Sequence, residues 1–173
     1  MPRSRASFAL SAGVALLMAS LGSGCAMPKH SDASAPPTDP YNPAATQLLD
    51  DTHWELTNWT EANGQPRALP GRAVGSQPIT LDFSTESGRR RASGFSGCNR
   101  YTGAYDLKDG KLSFGPLAGT RMACASSVGG AVEQPYLDAL AHVAKSGVQM
   151  NPPQSLQLTL DNGAVLTFAE RAP

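Results

Sequence analysis

Apolar and polar positions divide the chain into three stretches of different character. Phe8 to Leu21 is an uncharged apolar run, preceded by Arg3 and Arg5 and followed by the small residues Gly22-Ser23-Gly24. From Met27 to Pro43 large apolar residues almost disappear, and proline, serine, alanine, aspartate and asparagine take over. Regular patterning begins at Leu48. Trp54-Glu55-Leu56-Thr57-Asn58-Trp59 alternates partially and favours β-structure, which predicts a first strand. Ile79, Leu81 and Phe83 alternate cleanly with Thr80 and Asp82, so they share one buried face. Polar residues from Ser84 to Arg90 predict a turn, with a return through Ala92 and Phe95. Tyr101 to Leu107 predicts another strand, and Lys108-Asp109-Gly110-Lys111 a tight hairpin into Leu112-Ser113-Phe114. Leu156, Leu158 and Leu160 alternate, Asp161-Asn162-Gly163 turns, and Val165 to Phe168 returns.

One segment has the other period. Val132, Tyr136, Leu137, Leu140, Val143 and Ala144 recur at steps of three and four, which predicts a helix over 131–145. Pro135 fits the first turn of such a helix, placing its regular start near Glu133, and Lys145 and Gly147 suit its end. The expected fold class is α+β: a mainly antiparallel, curved β-sheet covered by one principal α-helix. A parallel sheet is disfavoured, because it needs a crossover between most strands and one helix is predicted.

The first stretch has the order of a secretory signal, with a positive start, an apolar core and small residues, and we assign it residues 1–25. It is short for a membrane span, which needs about 20 apolar residues. Leu21-Gly22-Ser23-Gly24-Cys25 resembles the lipobox of bacterial lipoproteins, which makes Cys25 the expected lipidation site; ordinary cleavage after Ala26 is the alternative. Residues 26–47 read as a flexible tether, since such a composition cannot bury enough surface to offset its ordering entropy. A domain over 48–170 follows. The 14 basic and 14 acidic side chains balance. Loss of the signal removes Arg3 and Arg5, leaving 12 basic against 14 acidic groups. That balance excludes the basic footprint of a nucleic-acid binder. Of the three cysteines, Cys98 and Cys124 remain in the domain. An oxidising compartment favours one disulfide between them, with two buried free thiols as the alternative.

The most distinctive stretch is Gly94-Phe95-Ser96-Gly97-Cys98-Asn99-Arg100-Tyr101-Thr102-Gly103-Ala104-Tyr105, followed by Thr120-Arg121-Met122-Ala123-Cys124, Glu133 and Tyr136-Leu137-Asp138-Ala139-Leu140. This ordered set resembles the META domain, the family of the heat-shock protein HslJ and many bacterial envelope lipoproteins. The resemblance runs from about Leu49 to Phe168. It implies a Cys98–Cys124 bridge stapling the Gly97-Cys98-Asn99 turn to the Thr120–Cys124 segment. It also implies an envelope role tied to stress tolerance, for a family whose molecular activity is poorly defined. The residues themselves read mainly as architecture, because asparagine holds left-handed turns and caps amides.

Catalytic constellations are poorly represented. His30, His53 and His142 lack the spacing of a metal site, and neither a phosphate loop nor a nucleophile elbow occurs. No catalytic residue, metal site or cofactor is therefore expected, and the chain is not expected to be an enzyme. Asp50-Asp51 and Asp106 with Asp109 read as a solvated acidic rim, and Arg89-Arg90-Arg91 as a solvated turn. Arg100, Tyr101, Tyr105 and Arg121 surround the expected staple and are the candidate binding surface, since Arg and Tyr are enriched at interface hot spots. The leading expectation is a non-catalytic lipoprotein domain, lipid-anchored to the outer membrane and facing the periplasm, that binds an envelope protein or a small ligand. The alternative is a small hydrophobic-ligand carrier or hydrolase inhibitor, and a carrier requires an apolar cavity inside the sheet.

Overall fold

The computed structural model describes residues 39–70, 77–124 and 127–172. The signal segment 1–25, with Cys25, and the tether up to Thr38 lie outside the described residues. A 3-10 helix, Pro43–Leu48, opens the domain. There follow β1 (His53–Thr60), β2 (Thr80–Glu86), β3 (Arg89–Phe95), β4 (Arg100–Lys108), β5 (Lys111–Phe114) and the two-residue β6 (Ala118–Gly119). Helix α1 (Val128–Ala141) precedes β7 (Val143–Gln149), β8 (Ser155–Leu160) and β9 (Val165–Glu170). Among the described residues, no helix is long and apolar enough to cross a membrane.

The strands pair antiparallel in the order β5-β4-β3-β2-β1-β9-β8-β7, with β6 also on β4. The first and last strands are thus neighbours, and the outer strands β5 and β7 approach each other. The sheet is a nearly closed barrel. Its interior holds the alternating apolar set, including Trp54, Leu81, Phe83, Tyr105, Leu112, Leu158 and Phe168, none more than 2% exposed. The expectation of a curved, mainly antiparallel sheet with one principal helix holds, and the closure of that sheet into a barrel is what the pattern leaves undescribed. A curled sheet turns its apolar face toward itself and leaves its ends to be covered. Tyr136 of α1 reaches Tyr101 at the start of β4 (Oη–Oη 3.0 Å) and the carbonyl of Thr80 at the start of β2, so α1 covers one end of the barrel.

The helix also sits three residues earlier than the periodicity suggests. Ser127 caps it, its Oγ accepting from Gly130 N at 3.0 Å, and Gly129 packs directly on the backbone of Gly97. A Cβ on Gly129 would stand 2.0 Å from the Gly97 carbonyl oxygen, so only glycine lets the helix and the β3–β4 turn touch. Pro135 therefore lies inside the helix rather than in its first turn. Val143, Ala144 and Lys145 belong to β7, where Val143 and Lys145 pair with Leu160 and Thr159 of β8 and Ala144 falls at a bulge between them. Short apolar steps cannot distinguish helix from strand when the decisive partner is a distant strand. The Ser84–Arg90 turn is likewise shorter than expected, confined to Ser87 and Gly88 between β2 and β3. At the β4–β5 hairpin both Asp109 and Gly110 have positive φ (53° and 74°), as a two-residue turn matching strand twist requires.

The tether ends sooner than expected. Asn42 exchanges two backbone hydrogen bonds with Val148 of β7 (3.1 and 3.2 Å), and Ala45 and Thr46 are buried. Thr46 Oγ1 lies 3.3 Å from Ser146 Oγ, and the Pro43 carbonyl rests near Gly110. Residues 42–47 thus lie at the seam between β5 and β7, where the free edge of β7 offers unpaired donors and acceptors. Asp50, just beyond, accepts from Arg90 through Nε and Nη2 (both 2.9 Å) and from Tyr105 Oη at 2.5 Å. The Arg90 guanidinium holds the Asp50 carboxyl below the usual carboxylate range. Asp51 accepts from the backbone of Thr85 at 2.8 Å. Asp51 is exposed and Asp50 half-buried, so these acids are partly solvated, as expected, and in addition tie the 3-10 segment to β2, β3 and β4.

Tyr101, Tyr105 and Tyr136 are all buried, and burial pushes each phenol upward. An unfolded phenol ionises near pH 10. Their contribution to stability is therefore complete below about pH 10 and falls as pH rises toward the folded values. Spectrophotometric titration should show these three phenolates emerging together with alkaline unfolding. Ionisation ahead of the loss of near-UV circular dichroism would contradict their burial.

Candidate functional site

The β3–β4 turn is built around one asparagine. Asn99, 4% exposed, accepts through Oδ1 from Met122 N (2.7 Å) and Thr120 Oγ1 (2.9 Å). Its Nδ2 donates to Glu133 Oε2 (3.0 Å) and the Met122 carbonyl (3.2 Å). One side chain thereby ties the turn to the Thr120–Cys124 segment and to the first half of α1. Cys98 and Cys124 stand at disulfide distance, their Cα atoms 5.9 Å apart and separated by 26 residues in sequence. The carbonyl of Cys124 accepts from Ser127 N (3.0 Å) and Ser127 Oγ (2.9 Å), so the staple also reaches the helix cap.

This pinned segment forms one wall of a cleft of about 790 Å³. The other wall is α1, through Glu133, Gln134, Leu137, Asp138 and Ala141, which recur on one helical face. The partly buried Phe114 and Leu117 line the cleft, as does Met122, which has 65% of its surface exposed. Each helix carboxylate has one oxygen oriented by an amide: Asn99 Nδ2 holds Glu133, and Gln134 Nε2 holds Asp138 at 2.8 Å. Neither carboxylate is ion-paired to a cation among the described residues. Other clefts lie elsewhere on the surface of the described residues. One, of about 680 Å³, runs along Arg89, Arg91 and Thr102; another, of about 400 Å³, lies beside Trp59 and Arg67.

The candidate binding residues separate. Arg121 lines the large cleft, and Arg100 is exposed on β4 outside its lining. Tyr101 and Tyr105 point into the barrel, 3% and 2% exposed, and are not a binding surface. Their four-residue spacing does place them on one strand face, but it is the inner one, where the Tyr101 hydroxyl donates to Thr80 O at 2.9 Å. No local pattern marks Met122, Glu133 and Asp138 as surface residues of one site. Met122 had a usable signal, a large apolar residue inside a motif otherwise made of polar and small residues.

A disulfide-range staple, an antiparallel barrel and one end-covering helix define a small β-barrel domain with a surface cleft. The META domain family model matches residues 47–173, and the chain belongs to that family. An NMR structure of a protein from Burkholderia xenovorans is 58% identical, with a TM-score of 0.74, covering 85% of this chain and 100% of that one. A second NMR structure is 23% identical with a TM-score of 0.49, covering 72% of this chain and 92% of that one. No curated protein matches the chain.

Proposed function

We propose that this META domain is a non-catalytic envelope module. In this reading it is anchored through Cys25 to the outer membrane, faces the periplasm, and supports envelope maintenance or stress tolerance by binding an envelope protein. The observation that carries the binding part is the large cleft. One wall is fixed by Asn99 and the 98–124 staple, and an exposed methionine lines it. Surface methionine on a rigid support suits recognition, since its side chain adapts to irregular apolar partners. The filled barrel interior weighs against a carrier of an enclosed apolar ligand.

The test is photo-crosslinking in intact cells, with a benzophenone amino acid at Met122 and, as control, at Glu86 on the other end of the barrel. A discrete adduct from position 122 alone is expected. Adducts from neither position, or equally from both, would reject the cleft as the binding surface. In the same cells Cys25→Ala should abolish fatty-acid labelling and release the protein from membranes, and persistent labelling would reject the anchor.

A further inference from the structure

The cleft's charges are arranged unevenly, and this bears on what fits it. Glu133 and Asp138 sit on the helix wall, while Arg121 sits on the loop wall. An amide donor holds one oxygen of each carboxylate, and each second oxygen makes no hydrogen bond among the described residues. Ordinary surface acids on a helix turn freely in water or pair with a nearby cation. Here the buried Asn99 amide holds Glu133, and the helix neighbour Gln134 meets the exposed Asp138. Neither acid is ion-paired among the described residues, and both share the cleft with apolar Phe114, Leu117 and Leu137. Orientation in advance lowers the ordering cost of binding. Apolar surface beside a carboxylate also lowers the local dielectric, which strengthens attraction to a cation.

Resting on the binding role proposed above, we infer that the cleft receives an extended peptide segment of a partner protein that presents a lysine or arginine flanked by apolar side chains. The apolar side chains rest on Phe114, Leu117, Leu137 and Met122, and the basic group meets Glu133 and Asp138. The volume suits a few residues, since ligand sites of about 300–1,000 Å³ hold small ligands or short segments. The cleft is lined by the exposed residues Arg121, Met122, Gln134 and Ala141 and so is open to solvent, which lets the segment continue into a larger molecule. Arg121 on the facing wall disfavours a segment with further basic residues on that side.

The test uses the whole domain in its oxidised form, labelled with ¹⁵N, and three synthetic peptides: acetyl-Gly-Leu-Lys-Leu-Gly-amide, its lysine-to-glutamate counterpart, and its leucine-to-serine counterpart. The lysine peptide should shift amide resonances of residues 114–123 and 133–141. It should bind about five- to tenfold more tightly than either counterpart, an advantage that shrinks with added salt. Glu133→Gln preserves an acceptor for Asn99, and Asp138→Asn removes a charge without burying a new group. The double variant should keep the parent spectrum outside the cleft and lose the preference for lysine. Equal binding of the lysine and glutamate peptides, shifts outside the cleft, or no shifts would each overturn the inference. Sequencing the Met122 adduct separates the two proposals. A crosslinked segment without a basic residue sinks this inference and leaves partner binding intact, whereas no adduct at all sinks the binding role itself.

Discussion

Replacing Cys98 and Cys124 together by alanine should lower the domain's stability by about 3–4 kcal/mol, which is the loop-closure contribution of a cross-link of this span. For a domain of this size that corresponds to a fall of about 10–15 °C in melting temperature. Reduction of the native protein should give a comparable fall, which controls for loss of sulfur packing at Cys98, itself buried. The effect should not be uniform. Cys124 supplies the carbonyl that holds the Ser127 cap, and Cys98 adjoins the Gly97–Gly129 contact. Amides of the 119–124 segment and the first turn of α1 should therefore lose hydrogen-exchange protection before the β1–β9 pair does. Peptide mapping without reductant should recover Cys98 joined to Cys124. Two thiols alkylated in the folded protein, or a melting temperature indifferent to reductant, would refute the staple.

The second large effect is expected at Asn99. Asn99→Ala removes a buried group that bonds Met122 N, Thr120 Oγ1, the Met122 carbonyl and Glu133, and leaves several of them without partners. The cost should be about 2–4 kcal/mol, because an unsatisfied buried polar group loses more than an average hydrogen bond provides. Asn99→Asp isolates the donor half of the network. It keeps an acceptor for Met122 N but turns a carboxylate oxygen toward Glu133 Oε2 and the Met122 carbonyl, at 3.0 and 3.2 Å. Two carboxyls so close share a proton, so the introduced group's folded pKa is raised. Relative to the parent, Asn99→Asp should be weakest at neutral pH and should recover as pH falls toward about 4, where a proton is shared. Urea titrations at both pH values measure this, and a penalty independent of pH would show that Glu133 does not face Asn99. Because both staple and asparagine hold the Thr120–Cys124 segment, removing both should cost less or more than the sum of the separate losses.

How much of this architecture is readable from the chain depends on the distance between the residues that decide it. Phe83, Leu81 and Ile79 declare their inner face by alternation alone, and Asp109-Gly110 declares a hairpin by its tolerance of positive φ. The Leu156–Leu160 and Val165–Phe168 hairpin is as clear, since turn and register lie within one local segment. Val143–Gln149 is different. Its residues become a strand because β8 lies beside them, and the sequence before Gly147 is equally compatible with another helical turn. Ser127 and Gly129 could have announced the earlier helix start, through a capping serine and a glycine at a close crossing, but the crossing partner is Gly97, more than thirty positions away in the chain.

The candidate site shows the same division. The motif from Gly94 to Cys124 marks the region in which turn, staple and loop converge, and the residue types suffice to identify the family. Tyr101 and Tyr105 lie inside because barrel closure turns them inward, and an aromatic beside a motif carries no label for inside or outside. Local pattern alone determined the strands with clean alternation, their hairpins and the presence of one helix, because those features depend on neighbours in sequence. Only the tertiary structure decided that the sheet closes, that α1 covers an end, and that Glu133, Asp138 and Met122 share one cleft. Each of those outcomes rests on contacts between segments far apart in sequence, whose partners no local pattern specifies.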